Sequence, residues 1–272
     1  THCTSSAASD VYKRQGLYVY GESVEMVNLV VHDTGLVGLW STAVDAVFYG
    51  CLSYFNGYDD EDRAHGHGLY TQNASGTKRI EDNVIFSNYS FGVHAYTEGG
   101  SIEGFDVRGN VWFGNGWPAA GEGNEKDNCL IGGLQPAARV VLEHNIGWAQ
   151  PTDARSVRLG YSHPDNDDLT LRGNYFVGRT LLAQPWASVL IEDNTFIGPL
   201  DGTDPSDHPD NAYGRSTDGP TVFVRPNAYD PERVMVVVHN PSGVAEVSVD
   251  LADIAPPRAW VEARSAQDIL GP

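Results

Sequence analysis

The sequence predicts an all-β solenoid of stacked coils followed by a small antiparallel β unit. Three observations carry this. Apolar residues alternate with period two in short runs rich in Val, Ile, Phe and Tyr, the signature of strands. One of these runs recurs along the chain, each time with an asparagine inside it: RIEDNVIF (Asn83), DVRGNVWF (Asn110), VLEHNIGW (Asn145), LTLRGNYF (Asn174) and VLIEDNTF (Asn194). The 30 glycines supply the turns that many short strands need.

Each repeat reads as a strand, a corner and a second short strand. Three residues before the asparagine sits Ile80, Val107, Leu142, Leu171 or Ile191; five before sits Lys78, Phe105, Val140, Leu169 or Val189. A recurring corner asparagine can bond both the corner backbone and the asparagine of the next coil, so a ladder is expected. Asn28 and Cys51 fit the same place more loosely. The pattern resembles the right-handed parallel β-helix of the pectate-lyase-like superfamily, over roughly residues 16–200 and about seven coils. That superfamily hosts lyases, hydrolases, epimerases and adhesins, so the resemblance predicts a fold and not a reaction.

In chain order, residues 1–15 match nothing downstream. They are similar to translated sequencing-adapter read-through at the end of a metagenomic gene fragment, and are expected to be a non-native or unstructured leader. Residues 16–200 form the helix, 201–220 a Pro/Gly/Asp-rich linker, and 221–272 the β unit, with strands at TVFVRPN, RVMVVVHN, AEVSVDL and AWVEARSA.

A strand precedes each asparagine segment: GLWST, GLYTQ, GVHAY, CLIGG, SVRLG and TLLAQ. Placing Leu39, Leu69, Val93, Leu130, Val157 and Leu181 inward turns Trp40, Tyr70, His94, Ile131, Arg158 and Leu182 outward. Two positions further, Thr42, Gln72, Tyr96, Gly133, Gly160 and Gln184 also face out, with Glu98, Tyr161, His163 and Trp186 beyond. The two long excursions, 56–68 and 115–128, fall before the outward strands flanking His94. Insertions gathered on one face of a solenoid build a binding face.

Bulk properties narrow the function. A net charge of −19 and a pI near 4.6 exclude nucleic acid and anionic membranes as partners. No apolar run is long enough to span a bilayer. Three cysteines without CxxC spacing argue against a disulfide framework, and Cys51 and Cys129 read as small core residues. The expectation is a monomer, secreted or at the cell surface, acting on a polysaccharide.

The stripe supplies its chemistry. Trp40, Tyr96 and Trp186 offer flat faces for sugars, and Gln72 and Gln184 offer amides for hydroxyls. β-Elimination of a uronate needs a group to neutralise the carboxylate, a base for the C5 proton and an acid for the leaving oxygen. Arg158, His94 or His67, and Tyr70 or Tyr96 fill those roles. Hydrolysis needs two facing carboxylates, and the stripe offers Glu98 alone. Lyase is therefore the leading expectation, with hydrolase next and a non-catalytic polysaccharide-binding or adhesion solenoid as the rival class. His65 and His67 could chelate a metal with His94 or a nearby carboxylate. The run Asp59, Asp60, Glu61, Asp62 could hold Ca2+, as a weak alternative to a solvated acidic loop.

Overall fold

The structure, a computed structural model, describes residues 15–61, 63–119, 126–214, 219–256 and 259–269. Two units are distinguishable, residues 1–214 and 215–272.

The first unit is the parallel β-helix expected from the sequence. Its chain visits three sheets in turn. Sheet A has eight strands: Gln15–Val19, Val37–Ser41, Leu69–Thr71, Val93–Ala95, Cys129–Ile131, Arg155–Leu159, Arg179–Leu182 and Leu200–Asp201. Sheet B has seven, from Glu25–Val27 to Trp186–Glu192, and sheet C eight, from Val30–His32 to Ala212–Tyr213. Every pairing within these three sheets is parallel. Among the described residues seven coils are complete. An eighth lacks its sheet B strand, so the segment expected as a linker from 201 onward carries the helix as far as Tyr213.

The interior is filled by one residue set from each sheet. Leu39, Leu69, Val93 and Val157 come from sheet A, Phe105, Val140, Leu142 and Leu171 from sheet B, and Ile85, Trp112 and Phe176 from sheet C. Size is balanced between coils. Trp112 stacks on Phe176 across Gly147, where an added Cβ would lie 2.4 Å from the Trp112 indole nitrogen.

The asparagine ladder forms at the corner between sheets B and C. The Oδ1 of Asn110 accepts from the backbone N–H (3.0 Å) and the Nδ2 (2.8 Å) of Asn83. The same pair of bonds links Asn110 to Asn145, Asn145 to Asn174, Asn174 to Asn194, and Asn194 to Asn211. Cys51 takes the ladder place in the second coil, its backbone N–H donating to Asn83 (2.9 Å). Asn28 sits one residue earlier than expected. It occupies the left-handed corner position (φ 54°) held elsewhere by Gly50, Asp82, Gly109 and His144. A second ladder, Asn56–Asn88–Asn115–Asn128, runs along the corner between sheets C and A, with side-chain bonds of 2.8–2.9 Å.

Sheet B turns an ionic face outward, where Arg108 pairs with Asp106 and Glu143, and Arg172 with Glu143 and Glu192. In the second unit, Thr221–Pro226 pairs antiparallel with Val234–His239. The strands expected at 245–251 and 259–266 do not form. Their alternating residues are largely exposed and bury no common face. No helix among the described residues is long and apolar enough to cross a membrane.

Candidate functional site

Parallel register sets the outer stripe of sheet A. Tyr18, Trp40, Tyr70 and His94 occupy equivalent positions on four consecutive coils. They continue into Leu130, Arg158 and Leu181. Two coils differ from the sequence reading by one residue. Ile131 and Leu182 point inward, at 0% and 5% exposure, and Leu130 and Leu181 take the outer position. Cys129, buried between Val93 and Val157, is the inward residue that sets this register, and a slip of one exchanges the faces of a strand.

The aromatic rings stack along the coils. Trp40 lies parallel to Tyr70 at 6.3 Å, and His94 is stacked between Phe91 (4.2 Å) and Tyr96 (4.9 Å). Gln72 hydrogen-bonds Tyr70.

The two excursions wall this stripe. The first forms a small hairpin, Tyr58–Asp59 against Ala64–His65, with the Tyr58 and His65 rings stacked. Gly57 and Gly66, both at positive φ, let its base close. A Cβ on Gly66 would lie 2.0 Å from the Leu36 carbonyl and 2.3 Å from the Gly57 Cα. The hairpin returns the chain through His67 to the Leu69–Thr71 strand. The second excursion delivers Lys126. Together with the stripe they enclose an open cleft of 410 Å3, into which Arg63, His67, Tyr70, Phe91, His94 and Lys126 project. No aspartate or glutamate lines it among the described residues.

The pair at its centre is His67 and His94, with Nε2 of the first 3.3 Å from Nδ1 of the second. Burial, then the charges of Lys126 and Arg63, push the His67 pKa down to about 3. Burial, then His67 and Lys126, hold His94 well below its ordinary value. Both rings are therefore neutral at neutral pH, so one donates and the other accepts across the contact. Burial raises Tyr70 and Tyr96, with the Glu98 charge adding to each, so both phenols keep their protons. Burial lowers Lys126, with Arg63 adding to the effect.

Arg158 stands two coils from His94, about 10 Å along the stripe at the usual strand spacing. Its guanidinium lies 4.4 Å over the Tyr161 ring. Glu98 is exposed beyond Tyr96, outside the cleft lining. Gln184 and Trp186 are not on the His94 stripe. Trp186 begins a sheet B strand, packs against the core and, with Gln184, borders a separate 480 Å3 cleft at the last complete coil. Asp59 lies in the hairpin, the Asp60 carboxylate accepts the Glu61 N–H (2.8 Å), and Asp62 falls outside the described residues. No three His, Cys, Asp or Glu side chains converge as metal ligands among the described residues.

Sequence reasoning missed Arg63, Phe91 and Lys126. All three lie inside excursions or turns, where no strand alternation orders the side chains.

No protein-family model matches the sequence, and no curated protein matches it. Among solved structures, the chain is similar to the A-module of the mannuronan C-5 epimerase AlgE4 of Azotobacter vinelandii. The two share 17% identity with a TM-score of 0.48, over 71% of this chain and 54% of that one.

Proposed function

We propose that this chain is a polysaccharide lyase that cleaves an acidic, uronate-containing polymer by β-elimination in the cleft over sheet A. One observation carries the reading. In a chain of net charge −19, the cleft holds a neutral histidine pair and two cations, with no carboxylate among its described lining residues. Such a cleft attracts an anionic sugar that the rest of the surface repels.

Arg63 and Lys126 neutralise the uronate carboxylate, which makes the neighbouring C5–H more acidic. His94, unprotonated at neutral pH, takes the C5 proton, and His67 fixes its tautomer across the 3.3 Å contact. The C5–H electron pair becomes the C4=C5 double bond as the C4–O bond breaks. Tyr70, kept protonated by burial, donates its proton to the departing oxygen. Trp40 and Tyr96 give flat contacts to sugar rings, and Arg158 binds the carboxylate of a neighbouring unit. Hydrolysis is less favoured because two facing carboxylates are needed and Glu98 stands outside the lining. The protein is proposed to work outside the cell, where such polymers occur, and as a monomer.

The test is a panel of acidic and neutral polysaccharides, followed by the ultraviolet absorbance of unsaturated uronates and by reducing ends. Absorbance on acidic polymers only, lost in His94→Gln, supports the reading. Reducing ends without that absorbance would replace it with hydrolysis. A folded protein silent on both channels would favour a binding solenoid.

A further inference from the structure

Beside the cleft, in the second excursion, lies a carboxylate that the elimination chemistry does not use. Asp127 has a side chain with 0% exposure, one residue after Lys126 and two before the Cys129–Ile131 strand. Its Oδ1 is bound by the Nε of Arg155, and its Oδ2 lies 3.9 Å from Nη1 of Arg158. Arg155 and Arg158 belong to one strand of the next coil. Asp127 therefore ties the wall of the cleft to the outer stripe across a coil boundary. Burial raises its pKa, opposed by the facing charges of Arg155, Arg158 and Lys126.

A buried carboxylate is costly unless it is paired, and a well-packed apolar residue would serve stability as well. Arg158 holds the stripe position of His94 two coils away, and its guanidinium lies between the Tyr161 ring and Asp127 Oδ2, an ion pair at 3.9 Å that is longer than a hydrogen bond. An arginine flanked this way by a buried charge and a ring has less rotamer freedom to lose when a ligand arrives.

We propose that Asp127 is a positioning residue that holds Arg158 pre-aimed along the groove, so that Arg158 captures the carboxylate of a sugar next to the one being cleaved. This rests on the lyase reading. Because Arg158 acts one unit away from the bond being broken, removing its anchor weakens binding of substrate and transition state alike.

The experiment compares wild type, Asp127→Asn, Arg158→Gln and the double variant on the acidic polymer that the wild type cleaves. Asp127→Asn is expected to raise KM roughly tenfold and leave kcat within about twofold. In the Arg158→Gln background the same change should add less than about twofold, because the two residues act as one unit. Wild-type KM in Asp127→Asn, or the full effect persisting without Arg158, overturns the proposal. Should Asp127→Asn lower the folded fraction, Asp127→Glu keeps the charge and displaces it by one methylene. A raised KM at wild-type Tm then supports the anchor, and a wild-type KM overturns it. If the wild type cleaves no acidic polymer, it is the lyase reading that fails, and the same cycle is read by calorimetric binding of an oligouronate. Coupled loss of affinity supports the anchor there, and independent or absent loss overturns it.

Discussion

Acidification exposes the cost of keeping His67 neutral. Its folded pKa is about 3 against an ordinary 6.5, because burial and the nearby cations penalise the imidazolium. Between those values the unfolded chain binds a proton that the folded chain refuses. Stability therefore falls as pH drops below 6.5, down to about 3, and this group has no effect above that window. Two units into the window, near pH ~4.5, the loss is bounded at about 2.7 kcal/mol by 1.36 kcal/mol per unit. The ring is partly exposed, which discounts the figure to roughly 1–1.5 kcal/mol. His67→Gln cannot titrate and removes this loss. Thermal unfolding followed by circular dichroism, for both proteins at neutral pH and at about 4.5, reads the difference. The Tm drop on acidification should be smaller in the variant by about 2–6 °C for a helix of this size. The many carboxylates contribute equally to both proteins and cancel. Equal drops would refute the claim that His67 is held neutral by the fold.

Other outcomes follow from the same structure. Lys78 has no exposure, donates to the Gln72 carbonyl (2.7 Å) and the Thr71 hydroxyl (2.9 Å), and is lowered by burial to about 7. The unfolded lysine titrates near 10.5, so wild-type stability should rise between pH 7 and 10.5. Urea unfolding of Lys78→Met should lack roughly 1–2 kcal/mol of that rise by pH ~9. Asn145→Ala strips the acceptor from both the backbone N–H and the Nδ2 of Asn110 (3.0 Å each). The buried N–H is left without its acceptor while Nδ2 keeps the Ile80 carbonyl (2.6 Å), a cost of about 1–3 kcal/mol, visible as a lower urea midpoint. Gly68→Ala would place a Cβ 2.4 Å from Ile85 Cγ2 and 2.7 Å from Asn88 Nδ2, so a lower Tm and disturbed cleft are expected under the same scan.

The solenoid was legible because its physics repeats. Each coil must bury the same face, so Ile80, Val107, Leu142, Leu171 and Ile191 recur, and each corner must satisfy the same backbone groups, so the asparagines recur. The second ladder escaped notice because Asn115 and Asn128 are only 13 residues apart in sequence and bracket an excursion, which hides the period. Register was misread where the inward residue is not a large aliphatic. Cys129 and Thr180 hold core positions at 0% exposure, and reading past each of them to the next leucine shifted the strand by one. Trp40, Tyr70 and His94 could be placed together because parallel register fixes their alignment once the strands are known. Arg63, Lys126 and Asp127 could not, since loops bring together side chains whose spacing in sequence carries no geometric rule.

The central claim is proton removal at C5 by the neutral histidine pair. The most direct measurement incubates wild type and His94→Gln with an acidic polyuronate in D2O and follows C5 by NMR. Loss of the C5 proton, to a C4=C5 double bond or to deuterium, is expected with the wild type and absent with the variant. New reducing ends from a polymer whose C5–H bonds all survive would contradict the account.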